Sequence, residues 1–477
     1  MNAIDSLYFI RSEIFLFGAL LAVLIFDFFV QEKKWLGILA FISIVIAFLI
    51  SPNTFPNTGL FFNYFVLDPF TFFFKSVAYL TIALTILSSL VYKNISEKFK
   101  GELYVLLLAM GPLLTIMSGV TNLLMIFIAI ESVSLTSYLL VGFQTFDKRS
   151  SEASLKYVLF GAVSTALMLF GMSLLFGSTG TIELSKIGLY LSHAPAFQSI
   201  ILLGMIFLLI GVGFKISMVP FHMWAPDVYQ GAPTPVAAFL TVAPKALGFA
   251  VLARILYVAF PFFVSKWSHL LSILAILTMT FGNVIAISQT DVKRLLAYSS
   301  IAQAGYILVG FATPGLFGLQ AVLIYITAYL FTNLGAFFTV LAIERNLETN
   351  QIDSYNGLSE RAPLLALSLT IFLLSLAGIP PLAGFIGKIY IFSAAVKTHS
   401  IALALAIAIN SAMAAYYYFK IVKAMYLSKA QNTERFTNPL PIKIVVTAAL
   451  LGTFLIGLFP VHFIKIVEQS LAGFAIF

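Results

Sequence analysis

The chain has 477 residues, of which 61% are hydrophobic and only 10% charged, with 27 Lys+Arg against 19 Asp+Glu, five His and no Cys. Soluble domains carry about 25% charged residues, so a water-facing globular enzyme is excluded, and a mean hydropathy of +1.02 excludes a disordered chain. Without cysteine there is no disulfide framework, iron–sulfur cluster or thiolate zinc site, and His193, His222, His269, His399 and His462 offer no close pair for haem or metal.

An all-α polytopic membrane protein is therefore expected. Apolar runs of bridging length, about 20 residues, lie near 12–30, 35–50, 70–92, 103–118, 121–143, 153–176, 199–224, 235–259, 268–288, 294–312, 315–343, 362–396, 400–427 and 441–467, about 14 spans in all. The first is preceded by Asp5, Arg11 and Glu13 rather than a basic segment, and no small-residue cleavage site follows, so it reads as a retained span and not a signal peptide. Counted over alternate loops, thirteen lysines and arginines face three on the other side. That excess marks the cytoplasmic side, and an even number of spans then puts both termini outside. The net charge of +8 reads as this topology signal rather than as a nucleic-acid footprint.

Two spans are interrupted. The run 199–224 carries Pro220 at mid-membrane, and 362–396 would be about 52 Å long as one helix, too long for a hydrocarbon core of about 30 Å. The second contains Gly378-Ile379-Pro380-Pro381, and paired prolines beside glycine break helical hydrogen bonding. Each broken span is fourth in a block of five. An odd number of spans per block makes the second block enter from the opposite side, which is the inverted repeat of many ion-coupled transporters. The resulting organisation is an N-terminal three-helix segment (1–100), a first five-helix repeat (101–260), a second, inverted five-helix repeat (261–428) and a C-terminal helix (429–477).

Four charges fall where lipid should be. Glu131 and Lys245 lie ten residues into their spans, about 15 Å deep. Lys215 precedes the first break and Lys388 follows the second. Each costs at least about 2.5–3.5 kcal/mol at mid-helix unless it finds partners or water. Burial penalises an ammonium and a nearby carboxylate offsets that penalty, so a lysine can hold or release its proton as its neighbours change, whereas arginine keeps its own. A proton relay follows, with Glu131 and Lys215 as the gate, Lys245 as central carrier and Lys388 as the carrier near the far exit. His222, just past the break, either passes protons between them or caps freed carbonyls. The rival reading is a structural salt bridge, but one glutamate neutralises only one of three lysines. Lys75, Arg254, Lys420, Asp27 and Asp68 lie nearer span ends and are expected to snorkel to the interface. Tyr416-Tyr417-Tyr418 is expected to form an interfacial aromatic belt.

The stretch Phe221-His222-Met223-Trp224-Ala225-Pro226-Asp227-Val228-Tyr229-Gln230-Gly231 resembles the signature of the antiporter-like subunits of the proton-pumping respiratory NADH dehydrogenase, complex I. Asp291-Val292-Lys293-Arg294-Leu295-Leu296-Ala297-Tyr298-Ser299-Ser300 and Gly378-Ile379-Pro380-Pro381 with Gly384-Phe385 and Lys388 resemble two further motifs of that family. The wording around Pro220-Phe221-His222-Met223-Trp224 and Ala243-Pro244-Lys245 is most similar to subunit N. The resemblance implies that Glu131 and Lys215 form the gating pair, Lys245 is the central lysine and Lys388 the terminal one. It implies a multi-pass protein of a bacterial-type inner membrane, embedded in lipid beside the other membrane subunits, the antiporter-like ones included. It also implies that NADH, FMN, iron–sulfur clusters and quinone belong to other subunits, with no cofactor or metal site in this one. A cation/proton antiporter subunit of the same fold is the alternative, and a structural scaffold is a third.

Overall fold

The computed structural model describes residues 3–52, 54–56, 59–193, 198–429 and 435–474. After the short α1 (Ala3–Phe9), helices α2 (Arg11–Asp27), α3 (Lys33–Leu49), α4 (Pro69–Ser89) and α5 (Lys100–Ser118) pack together. The chain continues through α6 (Leu123–Val141), α7 (Lys148–Thr179), α8 (Leu184–Ser192), α9 (Gln198–Lys215), α10 (Trp224–Gly231) and α11 (Thr234–Arg254). It then runs through α12 (Val264–Ile287), α13 (Val292–Ala312), α14 (Leu316–Leu347), the four-residue α15 (Leu358–Arg361), α16 (Pro363–Ala377), α17 (Ala383–Lys397), α18 (Ile401–Leu427), α19 (Leu440–Leu458) and α20 (Pro460–Ser470). Among the described residues the only β pairing is isolated bridges.

Each of the fourteen apolar stretches holds a helix or, at 362–396, two half-helices; the last, 441–467, expected as one helix, is divided at Pro460 into α19 and α20. Eleven of the described helices are long and apolar enough to cross a membrane. The other three positions hold shorter ones: α2 and α3 have 17 residues each, and α16 and α17 have 15 each on either side of a break. Helices α11, α13 and α14 are buried on nearly every side and form the centre. A helix apolar all round can sit only there or against lipid.

The second and third helices of the two five-helix blocks share local detail. Asn122 caps α6 by accepting from the Met125 amide at 2.8 Å, and Asp291 caps α13 by accepting from the Arg294 amide at 2.9 Å. The chain just past α7 bridges back to the first cap, Leu123 to Ile182 and Leu184 to Thr121. The chain past α14 does the same at the second, Val292 to Asn350 and Ile352 to Thr290. Helices α7 and α14 both have 32 residues and both end on a left-handed residue, Gly180 and Glu348.

Two expectations about charges near the span ends are corrected. Lys75 does not snorkel: it is fully buried, 2.8 Å from the Glu13 carboxylate, and it donates to Ser12 at 2.5 Å. Arg254, only 6% exposed, reaches Asp68 at 2.7 Å and Thr71 Oγ1 at 3.0 Å. Both partners come from distant helices, and an ion pair between neighbours is cheaper here than stretching a stem to water. Burial works against the ionised Asp68 carboxyl, yet Arg254 beside it holds it below the usual carboxylate range. Breaking a buried pair from one side costs about 3–5 kcal/mol, because a charge is left without its counterion. Glu13→Gln is thus expected to lower the thermal unfolding midpoint in detergent, and Glu13→Leu with Lys75→Met to recover most of the loss. An unchanged midpoint in Glu13→Gln would show that the pair contributes nothing.

Candidate functional site

Helix α9 stops at Lys215 because the next residues cannot continue it. Ser217 sits in the left-handed region at φ +58°, and the Val219–Pro220 bond is cis. The freed backbone is satisfied inside the protein, as non-helical chain at membrane depth requires. Met218 N–H donates to the Gly213 carbonyl at 2.8 Å, and Val219 N–H to Thr278 Oγ1 on α12 at 3.1 Å. Lys215 is thereby held at the helix end, 2% exposed, where it donates to Ser134 Oγ at 3.1 Å. Its stem crosses α11 at Gly248, where a Cβ would lie 3.6 Å from Lys215 Cγ and 2.7 Å from Ile216 Cγ2.

Glu131 is half-buried one turn before Ser134 on α6, and it accepts from Thr165 Oγ1 of α7 at 2.9 Å. Glu131 and Lys215 do not touch: among the described residues no ion pair forms at Lys215, and Ser134 holds its ammonium instead. The glutamate remains close enough for its charge to act on Lys215. His222 is 6% exposed beside the Pro220 carbonyl, and among the described residues no hydrogen bond joins it to Lys215 or Lys245.

Lys245 projects from the middle of α11 at 2% exposure. It donates to the Ser300 carbonyl at 3.0 Å and to the Ser300 hydroxyl on α13, and it lies 5.8 Å from the Tyr229 ring centre. Around it the Ser217, Tyr229 and Tyr329 hydroxyls are buried, Tyr229 beside Ser217 and Ser300 and Tyr329 beside Ser300.

The second break repeats the logic of the first. Helix α16 ends at Gly378, whose φ of +91° favours glycine, and the Pro380–Pro381 bond is cis. Ser375 Oγ accepts from the Gly384 amide at 3.0 Å, tying α16 to the start of α17. Lys388, one turn into α17 and 7% exposed, folds back across the break and donates to the Ala377 carbonyl at 2.8 Å. It also donates to Ser411 Oγ at 3.2 Å and lies 4.7 Å from the Tyr306 ring centre.

The three lysines therefore share one environment. Each is buried and each is held by neutral oxygen atoms; Lys75 and Arg254 carry a carboxylate within 2.8 Å, whereas Lys293, 4% exposed at the start of α13, is held by the Ala232 carbonyl. Sequence reasoning missed those neutral holders, Ser134, Ser300 and Ser411. A signal existed: Ser299, Ser300 and Gln303 are polar residues at helical spacing within an apolar span.

At one end of the bundle Asp227 joins three helices. It is 2.7 Å from Lys156 of α7 and 2.6 Å from Arg294 of α13, which also donates to Gln230 at 3.0 Å. These residues with Arg149 and Glu152 line a polar cavity of about 290 Å³. Partial burial acts against the Asp227 carboxylate, but Lys156 and Arg294 outweigh it and keep the group ionised below the usual range.

Residues 120–414 match the membrane family described as NADH:quinone oxidoreductase/Mrp antiporter. The chain is 40% identical to NADH-quinone oxidoreductase subunit N of Trichlorobacter lovleyi, over 97% of this chain and 96% of that protein. It is 46% identical to NAD(P)H-quinone oxidoreductase subunit 2 of Gloeobacter violaceus, over 78% of this chain and 72% of that one. Among solved structures, a chain of respiratory complex I from Thermus thermophilus with bound aureothin superposes with a TM-score of 0.80 at 30% identity, covering 95% of this chain and 98% of that chain. A chain of the Mrp complex from Dietzia gives a TM-score of 0.84 at 18% identity, a likeness of fold alone.

Proposed function

The chain belongs to the NADH:quinone oxidoreductase/Mrp antiporter membrane family, and from that premise we propose that it is a proton-translocating membrane subunit of an NADH-quinone oxidoreductase. It would sit in a bacterial-type inner membrane among other membrane subunits of the complex, with the electron-carrying groups and quinone held elsewhere. The observation that carries this reading is that three lysines buried at mid-span, Lys215, Lys245 and Lys388, are held by hydroxyl and carbonyl oxygens, with no counterion among the described residues. Such a lysine is costly to keep charged, so a modest change nearby is enough to make it take or yield a proton.

In this reading the two blocks, 101–260 and 261–428, are two copies of one five-helix unit in opposite orientations. The matched caps, bridges and breaks of the two blocks support it. Quinone reduction in the complex would move charge near Glu131, alter its action on Lys215, and drive a proton onward to Lys245 and Lys388. His222 and the buried hydroxyls near Lys245 would line that passage, with water satisfying the polar capacity their neighbours leave open. Moving one charge against about 150 mV takes roughly 3.5 kcal/mol, a cost within reach of such electrostatic coupling.

The test is to isolate the chain with its native partners and reconstitute the complex in sealed vesicles. NADH oxidation by quinone with proton uptake is expected, and Lys388→Ala should depress uptake at least about tenfold, short of the ~100-fold a positioned proton-transfer group often supplies. Cation-for-proton exchange that proceeds without NADH, in a preparation with no quinone reductase activity, would overturn the reading in favour of an antiporter.

A further inference from the structure

We propose that the Tyr418 hydroxyl, held between Ser299 and Gln303, is the junction that hands protons from Lys245 to Lys388. The inference rests on the relay described above and names the route between its last two lysines.

The three consecutive tyrosines of α18 do not form an aromatic belt, and their fates differ. Tyr416 is 65% exposed, while Tyr417 and Tyr418 are buried. Their rings lie 4.5 Å apart and their hydroxyls adjoin, but each also reaches a partner of its own. Tyr417 donates to Asn283 Oδ1 at 2.9 Å, and Asn283 in turn donates to Asn410 Oδ1 at 3.0 Å, a clamp between α12 and α18. Tyr418 turns instead to α13, where its hydroxyl lies 2.5 Å from Ser299 Oγ and 3.4 Å from Gln303 Nε2.

Gln303 is fixed on every side. Its amide nitrogen also donates to the Leu376 carbonyl at 3.3 Å, and its oxygen accepts from Tyr325. An amide so engaged orients its neighbour and does not itself exchange protons. Because Gln303 donates to the Tyr418 oxygen, the remaining bond to Ser299 can run in either direction. In one arrangement Tyr418 donates to Ser299. In the other Ser299 donates to Tyr418, whose own proton then turns away toward Lys388.

A lysine lies to either side of the junction. Ser300, next to Ser299 in the chain, holds Lys245, and among the described residues no hydrogen bond joins the two serines, so water carries that step. On the other side Ser411 lies two helical turns before Tyr418 on α18, hence on the same face and about 10 Å away. Ser411 accepts from Lys388 at 3.2 Å and is 3.5 Å from the Tyr306 hydroxyl. Gln303 and Lys388 also donate to adjacent carbonyls, those of Leu376 and Ala377. The register of the two blocks points the same way. Ser300 and Gln303 stand nine and twelve residues past the cap Asp291, as Glu131 and Ser134 stand nine and twelve past the cap Asn122. Where the first block places its gate, the second places neutral groups that can pass a proton on.

In the transfer Lys245 loses one ammonium proton and the Lys388 amine gains one. Each hydroxyl between them, Ser300, Ser299 and Tyr418, accepts a proton on oxygen and releases its own, with water bridging Ser300 to Ser299, and water and Tyr306 completing the span to Ser411. One proton moves and no bridging group is changed.

The test compares Tyr418→Phe, Ser299→Ala, Tyr104→Phe and Lys245→Ala in the reconstituted complex, after subunit content is verified. Tyr418→Phe is expected to slow NADH-driven proton uptake about tenfold and to raise its solvent deuterium isotope effect, a loss kept below the ~100-fold of a fully removed proton-transfer group because water substitutes in part. Tyr104→Phe, at a buried tyrosine of α5 away from the relay, should pump like the parent with an unchanged isotope effect. Tyr418→Phe that pumps like Tyr104→Phe, or that slows without a change in isotope effect, overturns the proposal. If Tyr418→Phe fails to assemble, Ser299→Ala decides: slowed uptake with a raised isotope effect upholds the junction, and parental behaviour removes it. Normal pumping by Lys245→Ala would sink the relay itself, whereas loss in Lys245→Ala alone would sink only the junction.

Discussion

Lys215→Ala and Lys215→Arg are both expected to assemble and both to lose at least about 90% of NADH-driven proton uptake, with coupled quinone reduction falling alongside. A positioned proton-transfer group contributes roughly 10²–10⁴-fold to a rate, and a tenfold residual allowance covers water that enters the vacated space. The two variants fail for different reasons. Alanine removes the ammonium that Ser134 holds at the first break. Arginine keeps a positive charge in the same cavity, but its guanidinium does not give up a proton in a protein. It is also planar and longer, in a channel bounded by Gly248 and Ile216. The measurement is simultaneous quinone reduction and proton uptake in vesicles, with subunit content checked first. Parental pumping by both variants would make Lys215 a structural residue and end the relay reading.

The Glu131→Gln result should be milder. Glu131 does not bond Lys215, and acts on it only through space past Ser134. That distinction was not legible in the sequence. Depth along a span can be counted at 1.5 Å per residue, so Glu131, Lys215, Lys245 and Lys388 declared themselves as misplaced charges. The prolines and glycines at 220 and 378–381 likewise announced the breaks, because backbone chemistry is local. What depth does not report is direction. Helices α4 and α18 carry apolar residues on every side, so hydropathy gives no face, and the sequence places Lys75 and Tyr418 at the membrane interface when they turn inward. Their partners come from far along the chain: Glu13 lies 62 positions from Lys75, and Ser299 lies 119 from Tyr418. Only packing brings such residues together. The neutral serines that hold the lysines escaped notice for a related reason. A serine in a membrane helix ordinarily bonds its own backbone, as Ser76 does to Phe72, and its sequence carries no mark of a second task.

Gly378→Ala should uncouple the second break from the first. At Gly378 the chain takes φ +91°, and a Cβ there would stand 2.7 Å from Lys388 Cδ. Such a contact cannot persist, and the atom it meets belongs to the lysine stem rather than to backbone, so Lys388 is the group that moves. Its ammonium would leave the Ala377 carbonyl and Ser411 hydroxyl, which now hold it at 2.8 and 3.2 Å. The backbone penalty, about 1–3 kcal/mol for a side chain in a conformation that favours glycine, accompanies that displacement and has to be separated from it. Gly315 provides the comparison: it too has a positive φ, +118°, but a Cβ there would meet nothing within 4 Å. Gly315→Ala is therefore expected to lower the thermal midpoint about as much as Gly378→Ala while pumping normally. Gly378→Ala should lose pumping by about tenfold, within the range for a displaced proton-transfer group. If both variants pump alike, strain at glycine is all that the substitution reports, and the seat of Lys388 beside the break is not what transport depends on.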